Sequence, residues 1–207
     1  TWANVPQIIG RGSEWYSGIG TERSKGTKMI SLSGSIVNTG VVEVPFGTSL
    51  KEIVYDIGGG VPKGKKLKAV HFGAAMGGTL PAELIDTPLD FDVLSKLGAA
   101  IGAGGLFVMD EDTNIVHMSR FFLDFLADES CGKCVPCREG IRQMLRILTR
   151  MSDGKGKEGD IETLEELCEV GSAASLCALG KTTSSPIRSA LRYFRNEYEA
   201  TITQDAD

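Results

Sequence analysis

The chain has 207 residues, 42% apolar and 24% charged, with a net charge of −5, the composition of an ordinary globular chain with room for one large domain or two smaller ones. The acidic balance argues against a general nucleic-acid binder, whose phosphate contacts need a basic field. No run of about eighteen apolar residues suggests a membrane span, and no basic stretch leads into an apolar core as in a signal peptide. Five cysteines, an odd number, point away from a disulfide scaffold and towards a metal site in a reducing compartment, so a cytoplasmic location is expected. The sequence opens on Thr1 rather than Met, as a piece of a longer polypeptide would.

In residues 1–27, Val5, Ile8 and Ile9 share a helical face that ends at Gly10, and Gly12, Gly18, Gly20 and Gly26 make a loop into the next unit. Lys28 to Val37 alternates, with Ile30, Leu32 and Ile36 on one side, which predicts a half-buried strand. Asn38-Thr39-Gly40 is a turn, and Val41 to Val44 returns as the second strand of a hairpin. Ser49 and Glu52 have capping-box spacing before a short helix with Leu50, Ile53, Val54 and Ile57 inward. Leu67 to Phe72 is a third strand, and hairpin, helix, strand is the β-grasp order. Residues 73–89 read as loop. Asp90 caps a helical turn carrying Phe91, Leu94 and Leu97, and Leu106 to Met109 is the last strand.

From there the apolar period changes to 3.6. Met118, Phe121, Phe122, Phe125 and Leu126 mark one helix; Ile141, Met144, Leu145, Leu148 and Met151 mark a second; Ile161, Leu164, Leu167 and Cys168 mark a third. Ser185 reads as an N-cap with Pro186 at the first helical position, opening a fourth helix with Ile187, Ala190, Leu191, Phe194 and Tyr198 inward. The fold class expected is α+β: a β-grasp domain over 28–112, preceded by the tail of another domain (1–27) and followed by a helical bundle (113–207).

The chemistry concentrates in Glu129-Ser130-Cys131-Gly132-Lys133-Cys134-Val135-Pro136-Cys137-Arg138-Glu139-Gly140, with a further thiol in Ser175-Leu176-Cys177-Ala178-Leu179-Gly180. A cubane cluster presents four irons, each needing one thiolate. The C-x2-C-x2-C run can reach three corners, and Cys177 the fourth. Gly132 and Pro136 suit the irregular path of such a loop. Zinc is the competing metal, although its structural sites more often use two separated pairs; unliganded core cysteines are the third reading. Cys168 lies at helical spacing from Leu164 and Ile161 and reads as a small buried hydrophobe.

Other features read as structural. The glycines of 98–105 run into a strand rather than from a strand into a helix, the wrong order for a dinucleotide loop. Arg138, Arg142, Arg146 and Arg150 form an i, i+4 ridge whose distal members read as solvated, while Arg138 and Lys133 are near enough to stabilise an anionic cluster. Glu162, Glu165, Glu166 and Glu169 read as a solvated helix face. No hydrolytic motif occurs, and no catalytic residue is assigned.

The cysteine stretch, together with Cys177-Ala178-Leu179-Gly180, resembles the NADH- and FMN-binding flavoprotein subunit of respiratory complex I, whose soluble relatives include flavin subunits of NAD(P)-linked and electron-bifurcating FeFe hydrogenases and of NAD-dependent formate dehydrogenases. Thr1-Trp2-Ala3-Asn4-Val5-Pro6 is similar to the end of that family's flavin-binding segment. Ile19-Gly20-Thr21-Glu22, Gly26-Thr27-Lys28 and Leu32-Ser33-Gly34 are similar to the entry of its ubiquitin-like middle domain, known as SLBB. The resemblance implies Cys131, Cys134, Cys137 and Cys177 as ligands of a 4Fe–4S cluster and Thr1 as an FMN contact. It implies hydride transfer from NAD(P)H to FMN, then single electrons leaving through the cluster. The expected partners are a thioredoxin-like 2Fe–2S subunit and an iron–sulfur or hydrogenase subunit. The family's glycine-rich flavin and nucleotide loop is absent from these residues, so this stretch alone is expected not to turn over. The alternative is a non-redox binding module with a structural metal.

Overall fold

A computed structural model of the chain describes residues 2–203. Thr1, the residue that the resemblance sets beside FMN, lies outside the described residues.

The N-terminal stretch forms two short helices, α1 (Asn4–Arg11) and α2 (Ser13–Ser17). The helix expected to stop at Gly10 therefore continues one residue further, and part of the expected loop is itself helical. The apolar face of α1 is largely uncovered, with Val5 and Ile9 exposed.

Five strands follow: β1 (Thr27–Gly34), β2 (Gly40–Pro45), β3 (Leu67–Phe72), β4 (Gly78–Pro81) and β5 (Gly105–Asp110). They make one sheet in the order β2-β1-β5-β3-β4. β1 runs parallel to β5, and every other neighbouring pair is antiparallel. The first strand stops at Gly34 rather than Val37. A side chain at Gly34 would put its first carbon 2.3 Å from the carbonyl oxygen of Val108, and its φ of +86° is one that glycine adopts freely. β4 falls inside the stretch expected to be loop.

Alternation divides the sheet between two cores. Ile30, Leu32, Val70, Phe72, Leu106 and Val108 pack beneath Leu50, Ile53, Val54, Leu89, Leu94 and Ile101. Ala69 and Met109 turn the other way into the helical core. The segment Glu52–Ile57 is wound as a π-helix. Its start is the expected capping box: Ser49 N–H donates to Glu52 Oε2 at 2.9 Å and Glu52 N–H donates back to Ser49 Oγ at 3.1 Å. Asp90 caps α3 (Phe91–Lys96), accepting from the amides of Asp92 and Val93, although Phe91 itself is half exposed.

The helical half contains α4 (Ile115–Asp128), α5 (Val135–Ser152), α6 (Asp160–Ala174), α7 (Ala178–Thr182) and α8 (Ser185–Glu199). The short α7 was not expected. On α4 the buried face is Ile115, Val116, Ser119, Phe122, Leu123 and Leu126, while Phe121 and Phe125 point outward. Val116, Ser119 and Leu123 take the place of Phe121 and Phe125, so the face is rotated from the expected one. Ser185 is the first helical residue of α8, and the preceding Ser184 makes no side-chain cap. The five apolar positions expected to face inward from α8 are all buried.

Several polar contacts fix the sheet to the bundle. Thr79 N–H donates to Ser189 Oγ at 2.8 Å, Tyr193 O–H to the carbonyl of Leu97 at 2.9 Å, and Lys68 pairs with Glu197 at 2.8 Å. His71, on β3, stacks on Phe122 of α4 with ring centroids 3.9 Å apart. Arg150 is not solvated: its Nε donates to Asp160 Oδ2 at 3.0 Å and a second guanidinium nitrogen bonds Oδ1, tying the end of α5 to the start of α6. The acidic face of α6 is partly paired, since Arg195 of α8 bridges Glu162 and Glu165.

Candidate metal centre

The site is built where α5 and α7 begin. Asn114 caps α4 by accepting from His117 N–H at 2.9 Å. The chain leaves α4 at Glu129 and crosses residues 130–134 without regular structure to reach α5. Gly132, with φ of +70°, lets the chain reverse there. Arg138 braces the loop from α5, donating to the carbonyl of Gly132 at 2.7 Å and to Glu139 at 2.9 Å. This cation, expected near a cluster, thus acts first on the backbone that presents the thiols.

Cys134 occupies the N-cap position of α5, and Pro136 falls in the first turn, where its missing N–H costs nothing. Cys137 lies one turn along and is 4% exposed. Cys177 stands at the N-cap position of α7. Cys131 and Cys177 are exposed and Cys134 is half-buried. Val135 and Leu176, both well exposed, give the thiols an apolar rim.

The thiols share one electrostatic neighbourhood. The Leu176 N–H holds the Cys134 thiol below its ordinary range, against the opposing effect of burial and with help from the Cys137 and Cys134 amides and the Ser175 hydroxyl. Burial pushes the Cys137 thiol up, the Ser130 hydroxyl draws it down, and charge on Cys134, Cys177 and Cys131 pushes it up again. Four thiolates so placed repel one another, and a cationic body among them removes that repulsion. Among the described residues no group of three or more His, Cys, Asp or Glu side chains is drawn tightly enough together to hold a metal ion by itself. The donor set is all sulfur, and one hydroxyl at its edge, Ser175 Oγ, is buried without a hydrogen-bond partner. These features fit an iron–sulfur cluster.

The packing at the back of the site depends on Gly180. A methyl there would lie 2.6 Å from Ser175 Cβ, 2.8 Å from Ser175 Oγ and 3.2 Å from Cys137 Cβ. α7 can pack this closely on Ser175 and Cys137 only because it has no side chain at that point. Gly180, Ser130 and Ser175 did not stand out from the sequence as functional positions. Their signal was proximity to the cysteines within the two quoted stretches.

Cys168 is fully buried on α6, with its thiol 3.7 Å from Met144 Sδ. Burial pushes it up to about 12, as befits an inert core thiol. The glycine-rich 98–105 stretch leads into β5 as a loop.

Fold and site together define a thiolate-lined segment of an α+β protein in which a sheet domain is joined to a helical bundle. Residues 117–201 match the family model described as the NADH-ubiquinone oxidoreductase-F iron–sulfur binding region. The chain is 48% identical over 202 residues to the NADP-reducing hydrogenase subunit HndC of Solidesulfovibrio fructosivorans, covering 98% of this chain and 41% of that protein. It is 40% identical over 205 residues to an NADH-quinone oxidoreductase subunit of Escherichia coli, covering 99% of this chain and 46% of that one. A crystal structure of NAD+-reducing NiFe-hydrogenase in the H2-reduced state superposes with a TM-score of 0.85 at 30% identity, over 97% of this chain and 34% of that chain. The chain spans less than half the length of these curated relatives. Among the described residues no helix is long and apolar enough to cross a membrane.

Proposed function

We propose that this chain is the electron-exit portion of a subunit that oxidises NAD(P)H at FMN and passes the electrons singly to a partner through one 4Fe–4S cluster. The observation that carries the reading is the placement of Cys131, Cys134, Cys137 and Cys177 on one loop and at the starts of α5 and α7, with Gly180 of α7 packed against Cys137. In this reading those four thiolates are the ligands. When bound, the cluster supplies reversible one-electron storage. The chain's own residues do the rest. The α5 N-terminus and the Leu176 amide hold sulfur in its anionic form, Arg138 fixes the loop, and Gly180 admits the fourth ligand. Cys131, Cys177 and the rim of Val135 and Leu176 present the site to a neighbour at the surface.

The sheet order, with β1 parallel to a central β5, supports assigning residues 28–112 to the ubiquitin-like β-grasp (SLBB) class. Residues 113–207 then form the cluster-bearing bundle and 1–27 the tail of an FMN- and NAD(P)-binding domain, with Thr1 as an FMN contact. No residue of this chain is catalytic in the reading, and the chain alone oxidises no NAD(P)H. The partners are other subunits of a multisubunit redox complex, a thioredoxin-like 2Fe–2S subunit and an iron–sulfur or hydrogenase subunit, in the cytoplasm. The relatives described as hydrogenase and NADH-quinone oxidoreductase subunits support the redox class without choosing between complexes.

The test compares Cys177→Ser with Cys168→Ser after anaerobic reconstitution. The first should lose the four-iron signature while the fold survives, and the second should retain it. Equal iron content and identical spectra in both variants would contradict the ligand assignment.

A further inference from the structure

We infer that two serines outside the ligand set, Ser130 and Ser175, donate hydrogen bonds from their hydroxyls to the sulfurs of the site, Ser130 to that of Cys137, and thereby raise the reduction potential of the cluster this chain holds. The inference rests on the ligand reading above and deepens it.

Ser130 Oγ lies 3.3 Å from Cys137 Sγ. The same oxygen accepts from Gly132 N–H at 3.3 Å, which leaves its one proton free for the sulfur. A metal-bound thiolate has no proton to give, so donation runs from serine to sulfur. Ser175 approaches from the other wall. It is 4% exposed, and its oxygen has no hydrogen-bond partner. Native structures rarely leave a buried hydroxyl in that condition, and such a group calls for an explanation. Among the described residues the other buried side-chain oxygen without a partner is that of Ser152, at the opposite end of α5. Ser175 is wedged between α7 and Cys137 by the contacts around Gly180, at the wall of the thiol site. An anionic sulfur of the loaded site gives this hydroxyl the strong acceptor that a neutral thiol does not.

The consequence follows from charge. Reduction adds one electron to a centre already held by four anionic sulfurs, and a hydrogen bond to sulfur stabilises the more negative state more strongly. Ser130 and Ser175 are therefore positioning and tuning residues: they neither ligate iron nor touch a substrate. Removing either hydroxyl shifts the one-electron equilibrium towards the oxidised form.

The test is a reductive titration of the cluster-loaded chain, followed by EPR, for the unmodified protein and for Ser130→Ala, Ser175→Ala and Ser130→Thr. Each alanine variant should lower the reduction equilibrium constant about threefold to tenfold, a shift of about 28 to 59 mV towards more negative potential. Ser130→Thr, which keeps the hydroxyl, should stay near the unmodified value. Deuterium ENDOR after exchange into D2O should show couplings from exchangeable protons near the cluster, with one lost in each alanine variant. Should Ser175→Ala fail to take up iron, Ser175→Gly removes the same hydroxyl with less bulk, and the coupling that survives in Ser130→Ala reports on Ser175 directly. Unchanged potentials at full iron content, or an unchanged ENDOR spectrum in the variants, would overturn the inference. An unmodified chain that takes up no four-iron cluster would instead overturn the ligand reading beneath it.

Discussion

Replacing Gly180 with alanine demands space that the site lacks. The added methyl would stand 2.6 Å from Ser175 Cβ and 3.2 Å from Cys137 Cβ, where carbon atoms settle at about 3.5–4.0 Å. Roughly 1 Å must therefore open between α7 and the wall formed by Ser175 and Cys137. Overpacking of this kind costs about 1–3 kcal/mol. Alanine returns about 1 kcal/mol of helix propensity, so the net cost of about 0–2 kcal/mol leaves the chain folded. The displacement, however, falls on the turn that carries Cys177. Metal–ligand distances tolerate errors of only about 0.2 Å, far less than the movement required. Gly180→Ala should keep its far-ultraviolet circular dichroism and lose no more than a few degrees of melting temperature, yet reconstitute with markedly less iron than the unmodified chain. Full iron content and an unchanged EPR spectrum would refute the claim that the Gly180 contact sets the position of Cys177.

Two further outcomes follow from buried charge. Burial pushes His71 down from 6.5 to about 4, although the Ala74 carbonyl, 2.8 Å from Nε2, acts in the opposite direction. The unfolded chain takes up a proton below about 6.5 that the folded chain refuses until about 4. This contribution to stability is therefore fully present above pH 6.5 and declines as pH falls towards 4, by about 1.4 kcal/mol per unit within that window. Urea titrations at pH 7.5 and 5.5 should differ accordingly, and His71→Gln should flatten the difference; equal slopes in both proteins would contradict it. Arg150→Met leaves Asp160, with a side chain only 7% exposed, without its cation and should cost about 2 kcal/mol in denaturant titrations, while a loss below about 0.5 kcal/mol would show that the pair behaves as a surface one.

How much of this was legible in the sequence depends on where the determining contacts lie. The thiol spacing, the capping box of Ser49 and Glu52 and the cap at Asp90 are local, and local chemistry suffices to find them. β4 escaped because Gly78-Thr79-Leu80-Pro81 is a four-residue strand whose hydrogen bonds come from β3 and whose Thr79 amide is held by Ser189 far along the chain. The face of α4 differs from the expected one because Phe121 and Phe125 are the larger side chains, whereas burial selects Ile115, Val116 and Leu123 on a helix that packs against α5 and α8. Arg150 looked like the solvated end of a ridge because Asp160 lies across a connector that sequence alone does not fold back. Within the proposed site, the cysteine spacing is local and visible in the sequence, but the contacts of Ser130, Ser175 and Gly180 depend on how the loop, α5 and α7 pack.

Metal and acid-labile sulfide analysis of the anaerobically purified chain, with EPR before and after dithionite reduction, tests the central claim most directly. The account predicts about four irons and four sulfides per chain, broad visible absorbance, and a one-electron paramagnetic signal that appears on reduction. A colourless, EPR-silent protein holding one zinc per chain would contradict it.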